Sequence, residues 1–477
     1  MATTNLTNRL KTPNVYIEEI SKFPPSIAQV ETAIPAFIGY TDIASDSRKR
    51  DLTLVPTRIT SLIEYQLYFG LPNAETEIVV TIANEDGSKG PEITATLDPT
   101  KRSKFLMHYA LQLFFANGGG PCWIVSTGKY GGDFARPDLE AGLSATEKID
   151  EITLYVFPDA QGLSSAADYY GLYKKAIALC RKLQDRFTVT DVWPVPDEPW
   201  NKHIDELRGD NGLADEVDSN KYAASYFPNL ETTLDLYYGG EGSGDSNVKV
   251  NRNGAVIKLS DLKSQPKGNA LYFQVRNAIR AIPCNMPPSP AVVGIYARVD
   301  AARGVWKAPA NAIVNEVIEP SVLLTDDQQG DLNVDSQSGL SINAIRPFPG
   351  RGILVWGART LAGNDNEWRY VPVRRFFNMV EESAKNACKA FVFELNSLNT
   401  WTRVRSMIEN FLTKQWRAGA LVGTTTEEAY YVRVGLNETM TELDLLEGRM
   451  IVEIGMAVVR PAEFIILQFS HKLQSQS

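Results

Sequence analysis

Histidine is nearly absent. The 477 residues hold three, His108, His203 and His471, each far from the others. With no HExxH and no Cys/His cluster, a zinc hydrolase is disfavoured. His108 falls in a helical stretch, where a satisfied structural histidine is the expected role. Cysteine is almost as sparse. Cys122, Cys180, Cys284 and Cys388 are dispersed with no CxxC, so reduced, mostly buried thiols are expected rather than a disulfide framework or a metal site. Long apolar runs are missing as well. The longest, around Ala33 to Tyr40 and Phe464 to Phe469, fall far short of the roughly 20 residues that span a bilayer. The first residues are polar, without the apolar stretch of a secretory signal. Assembly in the cytoplasm, with no membrane insertion, is the expectation. Positive charge is in deficit: the net of −9 argues against nucleic acid as a partner.

Catalytic patterns are lacking too. Gly118-Gly-Gly120 is not followed by Gly-Lys-Ser/Thr and runs into a strand, which fits a helix cap and tight turn rather than a phosphate loop. Gly242-Ser-Gly244 lies in a polar loop, not at a strand-to-helix elbow. The carboxylate pairs Glu18-Glu19, Glu381-Glu382 and Glu427-Glu428 are sequence neighbours, which on a helix do not face each other. No cofactor, no metal and no catalytic residue is expected; the chain reads as a non-enzyme.

What is present is ordinary for a globular chain: 44% apolar and 22% charged residues. The length suggests two to four domains. From Ser341 to Ser477 there are 16 Lys and Arg against 14 Asp and Glu, while the remainder carries 32 against 43. The excess acid is therefore all in the front part.

The chain opens with a polar stretch. Thr12 to Ile20 then reads as a short strand on an arm, with Pro13 excluding a helix interior and Pro24-Pro25 stopping it. Ala33 to Tyr40 predicts a buried strand, and Ile59 to Phe69 a helix ending at Gly70. Ile78 to Ile82 and Glu92 to Leu97 predict a hairpin. Phe105 to Asn117 predicts a helix, followed by a strand from Cys122 to Ser126. Ile152 to Phe157, Tyr169 to Leu183 and Phe187 to Trp193 form a strand, helix and strand, hence a parallel sheet. Pro194 to Asn220 and Gly239 to Gly254 read as loops, and Thr325 to Ser338 as an acidic linker. Ala270 to Ile282, Val373 to Ala390 and Trp401 to Ala418 predict helices. Ile342 to Trp356 predicts a strand pair. Tyr430 to Val434, Met450 to Val459 and Glu463 to Ser470 predict three closing strands.

Several blocks, in order, resemble the contractile tail sheath family of phage tails, bacteriocins and extracellular contractile injection systems. They are Thr12-Pro-Asn-Val-Tyr-Ile-Glu-Glu-Ile20, Ala33-Ile-Pro-Ala-Phe-Ile-Gly-Tyr-Thr41 and Phe114-Phe-Ala-Asn-Gly-Gly-Gly120. They continue with Pro288 to Asp300, Gly304 to Asn311, Ile342 to Leu361, Trp401 to Gly419, Tyr430 to Arg433 and Val459 to Phe464. Residues 75–98 and 197–253 depart from the family pattern and read as variable insertions.

The resemblance implies an α/β and α+β multi-domain fold. Residues 1–26 would form an extended arm. Residues 27–365 would form a central parallel-sheet domain, subtilisin-like but non-catalytic. Residues 366–477 would form a C-terminal α+β domain completed by exchanged strands. The implied function is a structural subunit that polymerises helically around an inner tube and contracts to drive it through a target envelope. A baseplate component and an α/β enzyme are the alternatives. Strand exchange between copies would use Val15, Tyr16, Ile17 and Glu18 at one end and Phe464, Ile465 and Ile466 at the other. The helix Trp401 to Ala418 carries Arg403, Arg405, Lys414 and Arg417 against the single acid Glu409, and the resemblance implies that this basic face meets the tube. Implied partners are further copies in stacked hexameric rings, the tube protein, baseplate and cap or terminator proteins, and paralogous sheath subunits. The particle would be a phage tail or a tail-like machine, released or membrane-anchored.

Overall fold

A computed structural model describes residues 26–84, 90–132, 134–214, 218–240, 242–252 and 254–467. The described residues divide into two compact units: 29–383 together with 458–467, and 384–457 together with 26–28.

The larger unit begins with β1 (Pro35–Thr41), β2 (Thr57–Ile59) and helix α1 (Leu62–Phe69), which Ser61 caps and Gly70 ends. The hairpin β3 (Ile78–Ala83) and β4 (Glu92–Leu97) precedes α2 (Met107–Ala116), β5 (Cys122–Lys129) and α3 (Arg136–Ala145). Then come β6 (Leu154–Val156), α4 (Ala166–Leu183), β7 (Phe187–Asp191), α5 (Trp200–Arg208), β8 (Ala223–Phe227) and β9 (Leu230–Thr232). Strands β10 (Lys249–Arg252) and β11 (Ala255–Lys258) lead into α6 (Leu259–Leu262) and α7 (Gly268–Arg280). The next elements are β12 (Cys284–Met286), α8 (Ser289–Arg303), β13 (Ala312–Ile313), β14 (Val317–Pro320) and α9 (Asp326–Asn333). The unit closes with β15 (Ile342–Phe348), β16 (Gly352–Val355) and most of α10 (Val371–Cys388).

Nine of these strands form one sheet in the order β13-β16-β15-β8-β7-β6-β1-β5-β2. The six from β15 to β5 run parallel, and the flanking strands β16, β13 and β2 each pair antiparallel with the neighbour on the inner side. Helices cover both faces, so the central strands are buried on both sides and read as unbroken apolar runs; all seven residues of β1 are buried. Alternation within each strand still sorts side chains between two cores. Phe37, Ile124 and Val156 face the side packed by α2 and α8. Ile38, Val125 and Tyr155 face the side packed by α3 and α4. At the α2–α8 crossing, a Cβ on Gly294 would lie 2.5 Å from the Phe114 carbonyl oxygen, so glycine permits the close approach. Gly118, at φ +100°, ends α2, as expected of the glycine run.

Three sequence expectations are corrected. Pro194 to Asn220 contains α5, whose Ile204 and Leu207 are buried against the second face. Thr325 to Ser338 contains α9, held at its start by a capping box between Thr325 and Gln328. Gly239 to Gly254 contains β10, which pairs in parallel with β3. The two stretches read as separate insertions thus share a four-stranded sheet, β11-β10-β3-β4, with its own core of Val80, Val250, Leu271 and Val275.

The smaller unit holds the end of α10, α11 (Leu398–Arg417), α12 (Thr426–Ala429), β17 (Tyr430–Arg433), α13 (Glu442–Leu446) and β18 (Glu453–Met456). Helix α11 buries Trp401, Val404, Met407, Ile408, Phe411 and Leu412 along one stripe.

Candidate assembly surfaces

Two buried carboxylates lie at the carboxyl ends of the parallel strands, and each holds the start of a helix. Asp159, just past β6, accepts the Tyr40 N–H at 2.7 Å and the Leu106 N–H at 2.6 Å, at the start of α2. Asp191, the last residue of β7, accepts the Ser289 N–H at 2.7 Å and its hydroxyl at 2.6 Å, at the start of α8. Burial pushes both carboxyls up to about 7, against the lowering effect of these hydrogen bonds. His108 is buried beside Tyr65, and burial holds its imidazole down to about 4. Among the described residues no group of three or more His, Cys, Asp or Glu side chains could hold a metal ion.

The surfaces suited to binding lie elsewhere. Strands β17 and β18 make an antiparallel pair, and among the described residues neither pairs with a third strand. A two-stranded ribbon with open edges is marginal alone and offers main-chain donors and acceptors to an added strand.

Among the described residues, the segment after β18 is tied down at Glu463 and exposed just after it. Glu463 receives a forked pair of hydrogen bonds from Arg359, Nε to Oε1 at 2.9 Å and Nη2 to Oε2 at 2.7 Å. Asn333 donates to the same carboxylate at 2.8 Å and the Tyr370 hydroxyl at 3.1 Å. Burial disfavours the Glu463 charge, but the bonds from Arg359 and Asn333 outweigh it and hold the carboxyl below its ordinary value. Immediately after it, Phe464, Ile465, Ile466 and Leu467 are between 72% and 82% exposed. A run of four large apolar side chains in water marks a contact surface. Of the positions predicted for strand exchange, Phe464, Ile465 and Ile466 are therefore placed in this run, in no strand among the described residues. Val15, Tyr16, Ile17 and Glu18 lie outside the described residues. The Arg359 clamp was not foreseen; its partners are too far apart in sequence to leave a local signal.

The four basic positions of α11 separate. Arg403, Lys414 and Arg417 are exposed at spacings of eleven and three residues, which places them on one helix face. Arg405 points elsewhere: it donates to the Val434 carbonyl at 2.9 Å and pairs with Glu438 at 2.7 Å.

Comparison with known proteins places these surfaces in context. Residues 363–472 match the family model for the phage tail sheath C-terminal domain. The helical sheath of the anti-feeding prophage in its contracted state is similar at 31% identity and TM-score 0.64, over 96% of this chain and 99% of that one. The PVC sheath complex of an extracellular contractile injection system, also contracted, is similar at 30% identity and TM-score 0.62, over 97% and 98%. The tail sheath protein of Vibrio phage KVP40 is 24% identical over 39% of this chain; the match spans only 26% of that longer protein.

Proposed function

This chain belongs to the contractile tail sheath family, and on that premise we propose that it polymerises helically around an inner tube and contracts to drive the tube into a target envelope. The near end-to-end correspondence with two contracted sheaths is the observation that carries this reading. A helix of identical subunits needs heterologous contacts that do not close. The open ribbon β17–β18 supplies an acceptor. The arm at Val15 to Glu18 and the run Phe464 to Ile466 supply donor strands from neighbouring copies, with residues 1–26 as arm, 27–365 as central domain and 366–477 as closing domain. Main-chain hydrogen bonds join the copies, and alternate side chains set the register.

The exposed face of Arg403, Lys414 and Arg417 supports an electrostatic contact with an acidic inner tube, a salt-sensitive docking that steers assembly. Arg405 serves this face indirectly, by fixing α11 to Glu438. Baseplate and cap proteins, and paralogous sheath subunits, complete the particle, which assembles in the cytoplasm. Contraction uses free energy stored at assembly: the extended polymer is metastable and repacks when released, so no nucleotide enters the cycle.

Electron microscopy of the purified chain, alone and with a tube protein, tests the proposal. Hollow striated cylinders are expected, and deleting residues 1–20 should abolish them. Monodisperse particles in both mixtures would sink the sheath reading.

A further inference from the structure

The larger unit seats two distant stretches of chain on one short piece of backbone. The first stretch, residues 30–34, leads from the arm into β1. The Thr32 carbonyl accepts from Arg375 Nη2 at 2.8 Å, and the Thr32 hydroxyl donates to Asp300 at 2.6 Å. Asp300 is itself the ion-pair partner of Arg375, whose side chain is buried. On either side of Thr32 the stretch is pinned again. The Val30 N–H donates to the Ser383 hydroxyl at 3.1 Å, and the Ile34 N–H to Thr153 Oγ1 at 2.9 Å. Arg375 and Ser383 both belong to α10.

The second stretch is the one that Glu463 ties down just before Phe464. Two of its holders, Arg359 and Tyr370, face each other across an antiparallel β-bridge. The Val371 N–H closes the same loop on the Ala358 carbonyl at 3.0 Å. Tyr370 also starts α10: its carbonyl accepts the N–H groups of Val373 at 3.1 Å and Arg374 at 3.2 Å. The seat of Glu463 is thus joined to the seat of Thr32 through Tyr370 and Arg375, five residues apart at the start of one helix. Each seat includes a guanidinium, whose fixed fork of donors tolerates little displacement of what it holds.

We infer that the start of α10 is a joint that couples the two donor strands of one subunit, with Tyr370 and Arg375 as its positioning residues. The inference rests on the strand-exchange reading and adds that the two exchanges made by one subunit are not independent. A neighbour that draws on Phe464 to Ile466 loads the Glu463 carboxylate. The load passes to Tyr370 and then to the helical turn that carries Arg375 and holds Thr32. Coupling between two sites is reciprocal, so a pull on the arm ahead of Val30 reaches Glu463 by the same route. The carrier is a physical one, a hydrogen-bonded turn locked to a β-bridge. In a polymer linked at both ends of each subunit, such a joint hands a change at one contact to the next, so that neighbours repack together.

Hydrogen exchange read by mass spectrometry tests the joint in the full chain, kept dilute enough to stay unassembled. Glu463→Gln and the milder Tyr370→Phe each weaken one seat without touching residues 30–34. Both should speed exchange of the Val30 and Ile34 amides several-fold and leave α7 unchanged. In the reverse direction, Thr32→Val removes the hydroxyl bond to Asp300. It should speed exchange of the Thr360 and Val371 amides, whose bonds to Arg369 and Ala358 hold the bridge that seats Glu463. Unchanged exchange at Val30 and Ile34 in either of the first two variants would show two independent seats and overturn the joint. So would an effect in one direction only, because coupling must be reciprocal. A rise shared by α7 would mark a general loss of stability and would overturn it as well. These amides are read in single subunits, whereas the sheath reading fails on missing cylinders, so the two failures are distinct.

Discussion

Asp191 shows how far a buried carboxylate departs from solution behaviour when its whole task is to hold a helix start. Its two oxygens are filled by the N–H and hydroxyl of Ser289, yet burial pushes its carboxyl up to about 7. The folded chain therefore keeps a proton that the unfolded chain releases near the ordinary aspartate value, about 4. This group's contribution to stability is full below that value and is lost as pH rises through about 7. In Asp191→Asn the amide oxygen still accepts the Ser289 N–H, and the amide N–H₂ donates to the hydroxyl. The substitution removes the titration and keeps the geometry. Thermal unfolding from pH 4 to pH 8 should show the variant gaining on the unmodified chain as pH rises, by about 1 kcal/mol or more across the window. A constant difference at every pH would mean that Asp191 is not the titrating group.

At the scale of elements, the segment after β18 is fixed through the Glu463 carboxylate, which Arg359, Asn333 and Tyr370 hold together. Arg359 is 4% exposed in its side chain, so its charge is compensated chiefly by Glu463. Breaking such a pair from one side leaves a buried cation short of its partner, which costs about 3 kcal/mol, and less where, as here, the acid is partly exposed. Glu463→Gln should lower the unfolding free energy in urea by about 1–3 kcal/mol, and Arg359→Met should be better tolerated than Arg359→Ala because it refills the volume. Because the Glu463 carboxyl is held below its ordinary value, its stabilisation is present above that value and disappears as pH falls through the folded one. Equal stability of Glu463→Gln and the unmodified chain at neutral pH would remove the clamp from the account. Elements of this kind were not legible in the sequence. The central strands were, because burial on both faces leaves continuous apolar runs such as Ile152 to Phe157. Helix α5 hid among prolines and acids with only Ile204 and Leu207 buried, and α9 buries Leu332 alone. Its Thr325-x-x-Gln328 box was the one local sign, outweighed by the acidic composition. Strand β10 exists because it meets β3, registering Lys249 against Val79, a pairing no local window contains. The apolar run that begins at Phe464 was visible in the sequence, since an unbroken apolar run stands out without any knowledge of what covers it.

For the whole molecule, the question is what the bare run Phe464 to Leu467 does for a single subunit. Four large side chains left in water contribute nothing to the fold that exposes them. Buried against a neighbour, each would stabilise the contact by about 1.5–3 kcal/mol before the cost of ordering is subtracted. Stability of the subunit and stability of the polymer should therefore separate at this point. A chain ending after Glu463 keeps the clamp to Arg359 and should unfold at the same urea midpoint as the full chain, within the error of the measurement. It should nevertheless fail to form cylinders at any concentration where the full chain does. A truncated chain that unfolds earlier would show that the run packs within its own subunit. One that assembles normally would show that the copies are joined by other contacts. Retained stability with lost assembly is the result that a strand given to a neighbour requires, because the energy of that strand appears only when a second subunit is present to receive it.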